Sequence, residues 1–172
     1  MRITSAADLL PSARALGPSL AARSEYIEAN RTLPEDVVAD LRDAGLFRLL
    51  TPTELGGPEA DVATASNVIT EIARYDGASA WCVMIAGTTS LQAGFLPSEV
   101  AKEIFGAPHS IAGGYAAPVG SAFPVNGGLQ VTGTWAWGSG TQHCNWIGGG
   151  TRIVDSEGKS TPRSDGLFAP FT

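Results

Sequence analysis

Near Pro108 the chain changes character, and that change limits its possible folds more than any other feature. Before it, apolar residues recur at helical spacing between clear start and stop signals. After it, Gly, Thr, Val and Trp dominate, broken by turns at Asn126-Gly127-Gly128, Asp155–Gly158 and Ser164-Asp165-Gly166. Helices followed by strands, without βαβ alternation, predict an α+β fold. The predicted organisation is an all-α domain over residues 1–108 and a partial antiparallel β-barrel or sandwich over 109–172.

Residues 5–30 carry Leu9, Leu10, Ala13, Leu16, Leu20, Tyr26 and Ile27 at mostly helical spacing. Gly17-Pro18 is expected to kink or divide that helix. Pro34, Glu35 and Asp36 open a second helix, with Val37, Val38, Leu41 and Ala44 on one stripe and Gly45 stopping it. Asp61 caps a third, whose apolar face is Val62, Ala65, Val68, Ile69 and Ile72, ended by Asp76-Gly77. Residues 78–95 are apolar almost all round, which predicts a helix buried on most sides. Pro97 starts a short helix with Val100, Ile104 and Phe105 inside. Strands are predicted at about 110–116, 120–125, 129–137, 145–154 and 166–171. A chain closing on a strand with nothing after it reads as the front part of something longer.

The chain has 172 residues, enough for one domain or two small ones. It is 44% hydrophobic and 16% charged, which excludes disorder and suggests that part of its surface is covered by other protein. A net charge of -6 offers no basic footprint for nucleic acid or an anionic membrane. No run approaches membrane-spanning length, and no apolar core of signal-peptide length is read before Pro11. Two cysteines, Cys82 and Cys144, make neither a disulfide scaffold nor a zinc site, and fit reduced thiols in the cytoplasm.

Within the second half, Val131–Trp146 packs three tryptophans, a Gly138-Ser139-Gly140 turn and His143 into sixteen positions. A strand needs Val131, Trp135 and Trp137, but it does not need that turn or a histidine after it. The combination suits the wall of a site for a flat aromatic ligand. Gly148-Gly149-Gly150 follows a strand but opens no helix, so it fails the context of a phosphate loop.

Three stretches resemble the acyl-CoA dehydrogenase superfamily of flavoproteins: Leu46–Gly57, Ile72–Trp81 and Asn126–Gly140. They are similar to its "P-x-x-x-G-G" loop, its "I-A-x-x-D-x-S-x-x-W" junction and its "G-G-Y-x-V-x-G-x-W-x-F-x-S-G" strand pair. The last, continued to His143 and Trp146, is closer to the flavin-dependent monooxygenases of the fold. Trp135 stands where dehydrogenases carry a lysine, and Gly113–Ser121 departs from their "T-E-P-x-x-G-S-D" stretch. The resemblance implies a helical domain, a middle β domain and a C-terminal helical bundle, the last of which lies outside this sequence.

It further implies FAD or FMN, supplied reduced by a separate flavin reductase, a small organic substrate, and a homo-oligomer. By the same resemblance Trp137 flanks the flavin ring, and Ser139 lies near its reactive nitrogen. Gly113, Gly114 and Tyr115 would line the other side. Trp137 as a core aromatic, Ser139 as a plain turn residue and the glycines as a bulged strand are the structural alternatives. His143 is read either as a contact to substrate or flavin or as a residue bonding its own turn; His109 is expected on the surface. The residue where phenol hydroxylases hold a histidine falls in Thr88-Thr89-Ser90, which argues against a phenolic substrate. Two further functions stay open: an acyl-CoA dehydrogenase, and a non-catalytic interaction module.

Overall fold

The computed structural model describes residues 5–160. Helix α1 spans Leu9–Asn30 as one helix with Pro18 inside it, so the predicted division at Gly17-Pro18 does not occur. Leu9, Ala13, Leu20 and Ile27 are buried on one face, on both sides of the proline. Burial of that continuous stripe outweighs the hydrogen bond and the clash that a proline costs, about 3 kcal/mol. Gly17 has its own reason, since a Cβ there would stand 2.4 Å from the Tyr75 ring.

Helix α2 spans Glu35–Asp43 and buries Val37, Val38 and Leu41. Gly45 then takes a left-handed backbone, φ 67°, which ends the helix as its position predicts. A 3-10 turn at Leu46–Arg48 buries Leu46 and Phe47. In the turn-rich stretch that follows, a Cβ at Gly57 would lie 2.1 Å from the Thr51 carbonyl, so only glycine fits.

Helix α3, Val62–Ala73, is capped as predicted: the Asp61 carboxylate accepts from the Thr64 N–H at 2.7 Å. Its buried face is Ala65, Val68 and Ile72, whereas Val62, counted on that face from sequence, is 73% exposed. Asp76 does not end α3. It caps α4, Gly77–Thr89, accepting from the Ser79 N–H at 2.6 Å and from the Ser24 hydroxyl of α1 at 2.9 Å.

Helix α4 is less enclosed than its composition predicts. Ser79, Ala80, Val83, Ala86 and Gly87 are buried, but Trp81 is 54% exposed. In the 3-10 turn Ser90–Gly94 and just after it, Leu91 and Phe95 also face outward. Helix α5, Ser98–Phe105, buries Ala101 and Phe105 but leaves Val100 outside, against expectation. Beneath its C-terminus the buried Arg48 donates to the carbonyls of Leu55 (2.7 Å), Phe105 (2.8 Å) and Ala107. A guanidinium there satisfies carbonyls that a helix end leaves unpaired.

The strands form a sheet in the order β2-β1-β3. Strand β1, Ala112–Val125, is continuous where the sequence suggests two pieces. It pairs antiparallel with β2, Gly128–Thr132, from Ser121↔Thr132 to Val125↔Gly128. Pro118 lies before that pairing begins, so its missing N–H breaks no bond to β2. Strand β3, Trp146–Ile153, advances in the same direction as β1. A Cβ at Gly114 would meet Gly148, Gly150 lies against the Ala116 and Ala117 carbonyls, and the Val154 N–H donates to Ala122. The sheet is therefore mixed.

The ladder of the predicted 129–137 strand stops at Thr132. Beyond it the Trp135 indole N–H donates to the Gly150 carbonyl at 2.9 Å. Its ring covers Gly120, Gly133 and Gly149, at each of which a Cβ would come within 2.9 Å of it. Packing against bare glycine backbone replaces strand pairing here. The predicted strand at 166–171 lies outside the described residues.

By their contacts the residues fall into two units. One runs through Gly113 and includes Ser139–Trp146; the other comprises Gly114–Gly138 and the chain from Ile147 onward.

Candidate functional site

Gly113, Ser139 and His143 belong to the first unit. Gly140 adopts a left-handed backbone, φ 73°, and opens a 3-10 turn at Thr141–His143. Four hydrogen bonds hold this segment among the helices and their C-terminal extension. The Ile111 carbonyl accepts from the N–H groups of Asn145 (2.8 Å) and Trp146 (3.3 Å). The Asn145 side chain accepts in return from the Ile111 N–H at 2.9 Å. Thr32, just after α1, donates its hydroxyl to the Gln142 side chain at 2.6 Å.

Ser139 is half-buried at the start of this segment. His143 is also half-buried; burial lowers its pKa, and the nearby Glu35 opposes that shift. A neutral imidazole is favoured there. Its backbone N–H donates to Gly140 at 3.0 Å. His109 is exposed, as predicted.

The two cysteines are both in this unit and both half-buried. The Cys144 thiol donates to the Gly140 carbonyl at 3.3 Å. Cys82 Sγ, on α4, stands 3.6 Å from where a Gly140 Cβ would be. Burial pushes each thiol up to about 11, so both remain protonated near neutral pH. Neither is expected in a site from the sequence. Only the position of Cys144, directly after His143, could have drawn attention to it. Among the described residues no group of His, Cys, Asp and Glu is arranged to hold a metal ion.

Gly114, Tyr115 and Trp137 belong to the second unit. Tyr115 packs on Trp135 with ring centroids 6.2 Å apart and planes at 36°. Trp137 is 93% exposed and has φ 67°, a left-handed backbone that a bulky side chain rarely accepts. Neither burial nor pairing in the described residues accounts for a tryptophan there. The glycines, by contrast, have protein neighbours. The space of a Cβ at Gly113 is filled by Cys144 Sγ, 2.7 Å away, and that at Gly114 by the Gly148 backbone. A separate cleft of about 350 Å³, lined in part by Ser121, Arg152 and Ser160, includes none of the predicted residues.

No helix among the described residues is long and apolar enough to cross a membrane. Similarity to known proteins extends over nearly the whole chain. It is 33% identical over 144 residues, 82% of its length, to the flavin-dependent monooxygenase oxygenase subunit HsaA of Rhodococcus jostii, of which it covers 37%. The crystal structure of the HsaA monooxygenase from Mycobacterium tuberculosis superposes with a TM-score of 0.85 at 28% identity, over 92% of this chain and 43% of that one. XiaF from Streptomyces, solved with FADH2 and glycerol, gives a TM-score of 0.85 at 31% identity, over 91% and 40%. The chain thus spans about two fifths of the length of these relatives. The acyl-CoA dehydrogenase N-terminal domain is matched by residues 13–103, more than half of the sequence, and the chain belongs to that family.

Proposed function

We propose that this chain supplies the N-terminal part of a flavin-dependent monooxygenase. It would be the oxygenase component, taking reduced FMN or FAD from a separate reductase and transferring one oxygen atom from O2 to a small organic substrate. The observation that carries this reading is the 33% identity to a flavin-dependent monooxygenase oxygenase subunit over four fifths of the chain. XiaF, solved with FADH2, supports the choice of cofactor.

Bound flavin would supply the oxygen chemistry, and the protein the binding, orientation and exclusion of water. The exposed indole of Trp137 suits a flat ring that needs an apolar edge. The Ser139 hydroxyl would donate to that ring from its turn. His143, favoured as the neutral imidazole, would face the ring edge or substrate. Gly113 and Gly114 would contribute main-chain atoms only, because protein already fills the space beside each Cα, and Tyr115 would add its ring. We place the protein in the cytoplasm, consistent with its two free thiols, as a homo-oligomer whose contacts would cover Trp81, Leu91 and Phe95.

The test is to express the gene's complete product, titrate FMN and FAD in both redox states, and mix the reduced complex with O2. A monooxygenase binds reduced flavin and shows a spectrally distinct species persisting before oxidised flavin returns. Failure to bind either flavin in either state would refute the proposal. Rapid bleaching of bound oxidised flavin by an acyl-CoA would replace it with the dehydrogenase reading.

A further inference from the structure

We propose that Cys144 is a positioning residue, its thiol tying the turn that carries Ser139 to the backbone at Gly113 and so fixing the spacing of those two places. The inference rests on the reading of Ser139 and Gly113 as neighbours of the flavin.

The sulfur of Cys144 has two contacts that pull in different directions. Toward the turn, its S–H donates to the carbonyl of Gly140, the residue after Ser139, at 3.3 Å. Toward the start of β1, it occupies the space beside Gly113, where any Cβ would be only 2.7 Å away. Glycine at 113 is thus what admits the sulfur, and the sulfur is what sets how closely the turn approaches. The main chain is clamped next door, since Asn145 and Ile111 exchange hydrogen bonds at 2.8 and 2.9 Å. Cys82 also stands close to this residue, its sulfur 3.6 Å from where a Gly140 Cβ would be.

Thiol chemistry suits this role. A sulfur is large enough to fill the Gly113 notch, and S–H is still a donor, though a weak one. Serine would keep the donor but shrink the contact, alanine would lose both, and valine would fill space but leave the Gly140 carbonyl without its partner. Because burial holds the thiol protonated, the donor persists across the neutral range.

The experiment has two arms. In the 15N-labelled chain, Cys144→Ala should move the amide resonances of Gly113 and Gly140 together, and Cys144→Ser should move both less. In the gene's complete product, Cys144→Ala should raise the hydrogen peroxide released per reduced flavin oxidised by about two- to five-fold, the loss of one weak hydrogen bond. Ser139→Ala should raise it at least as much, and Cys144→Ser should restore part of the coupling. If Cys144→Ala shifts only one of the two glycines, or neither, the tie is refuted even when Ser139→Ala raises peroxide. If both glycines shift but Ser139→Ala leaves peroxide unchanged, the tie stands and the flavin reading of the turn fails.

Discussion

Replacing Trp137 by glycine separates a ligand-facing role from a structural one. The side chain is 93% exposed, so its removal forfeits almost no burial. Its backbone, φ 67°, costs an L-residue about 1–2 kcal/mol, which glycine relieves. Glycine's extra freedom in the unfolded chain gives back about 0.5–1 kcal/mol. The net expectation is between no change and about 1.5 kcal/mol of stabilisation. Trp137→Ala, which keeps the strain, should stay within about 0.5 kcal/mol of the parent. In thermal unfolding followed by circular dichroism, 1 kcal/mol corresponds to about 2–4 °C for a chain of this size. In the gene's complete product, either variant should weaken flavin binding by about ten-fold, the order expected for one aromatic contact. A core tryptophan would behave oppositely, losing about 3–5 kcal/mol on truncation. If both variants destabilise the chain by that amount, the inference from exposure and backbone conformation to a ligand-facing role is wrong.

Other residues give independent checks. Arg48→Met strips the donor from three carbonyls and should lower stability by about 3 kcal/mol or more in urea unfolding; Arg48→Lys should recover only part, because an ammonium lacks the planar fork. Trp135→Phe preserves most of the ring but leaves the buried Gly150 carbonyl without its indole donor, a loss of about 1–3 kcal/mol by the same assay. His143 has a pKa lowered by burial in the fold, so the stability it contributes is complete above its ordinary value of 6.5 and is lost as pH falls below that. The unfolding midpoint should therefore drop between pH 7 and pH 5, and His143→Gln should flatten that slope. Cys82 and Cys144, each raised to about 11, carry roughly a hundredfold less thiolate at pH 8 than an unshifted thiol. Iodoacetamide should label them slowly until urea unfolds the chain; fast native labelling would contradict the burial.

What could be read from the sequence was local. Asp61 and Gly45 announce a helix start and a stop through chemistry confined to one turn, and both act as their positions require. The segregation of helices from strands is likewise a local property summed along the chain. Errors came where a distant neighbour decides. Pro18 stays inside α1 because residues on both sides are buried on the same face, which no local rule contains. Asp76 could end one helix or begin the next, and its bonds to Ser79 and Ser24 make it a beginning. Val62, Val100 and Trp81 are apolar and periodic, yet period gives a face without saying what covers it. At the candidate site, it is the family resemblance that points to Trp137 and Ser139, whereas the contacts of Cys144 with Gly113 and Gly140 are visible only in three dimensions.

Trp135 and Trp137 show why the ladder had to end where it does. Two residues apart on a strand, their side chains would point to the same face. Here their surroundings differ completely: Trp135 is bonded to Gly150 and laid over three glycines, while Trp137 is almost wholly exposed. A regular strand cannot deliver that pair of environments. Ending the pairing at Thr132 and giving Trp137 a left-handed backbone breaks the alternation. The same break that would count as a defect in a β-hairpin leaves one indole as packing and the other exposed. Strain in a bulky residue persists when the surroundings hold it there, and two residues earlier Trp135 is anchored by its bond to Gly150.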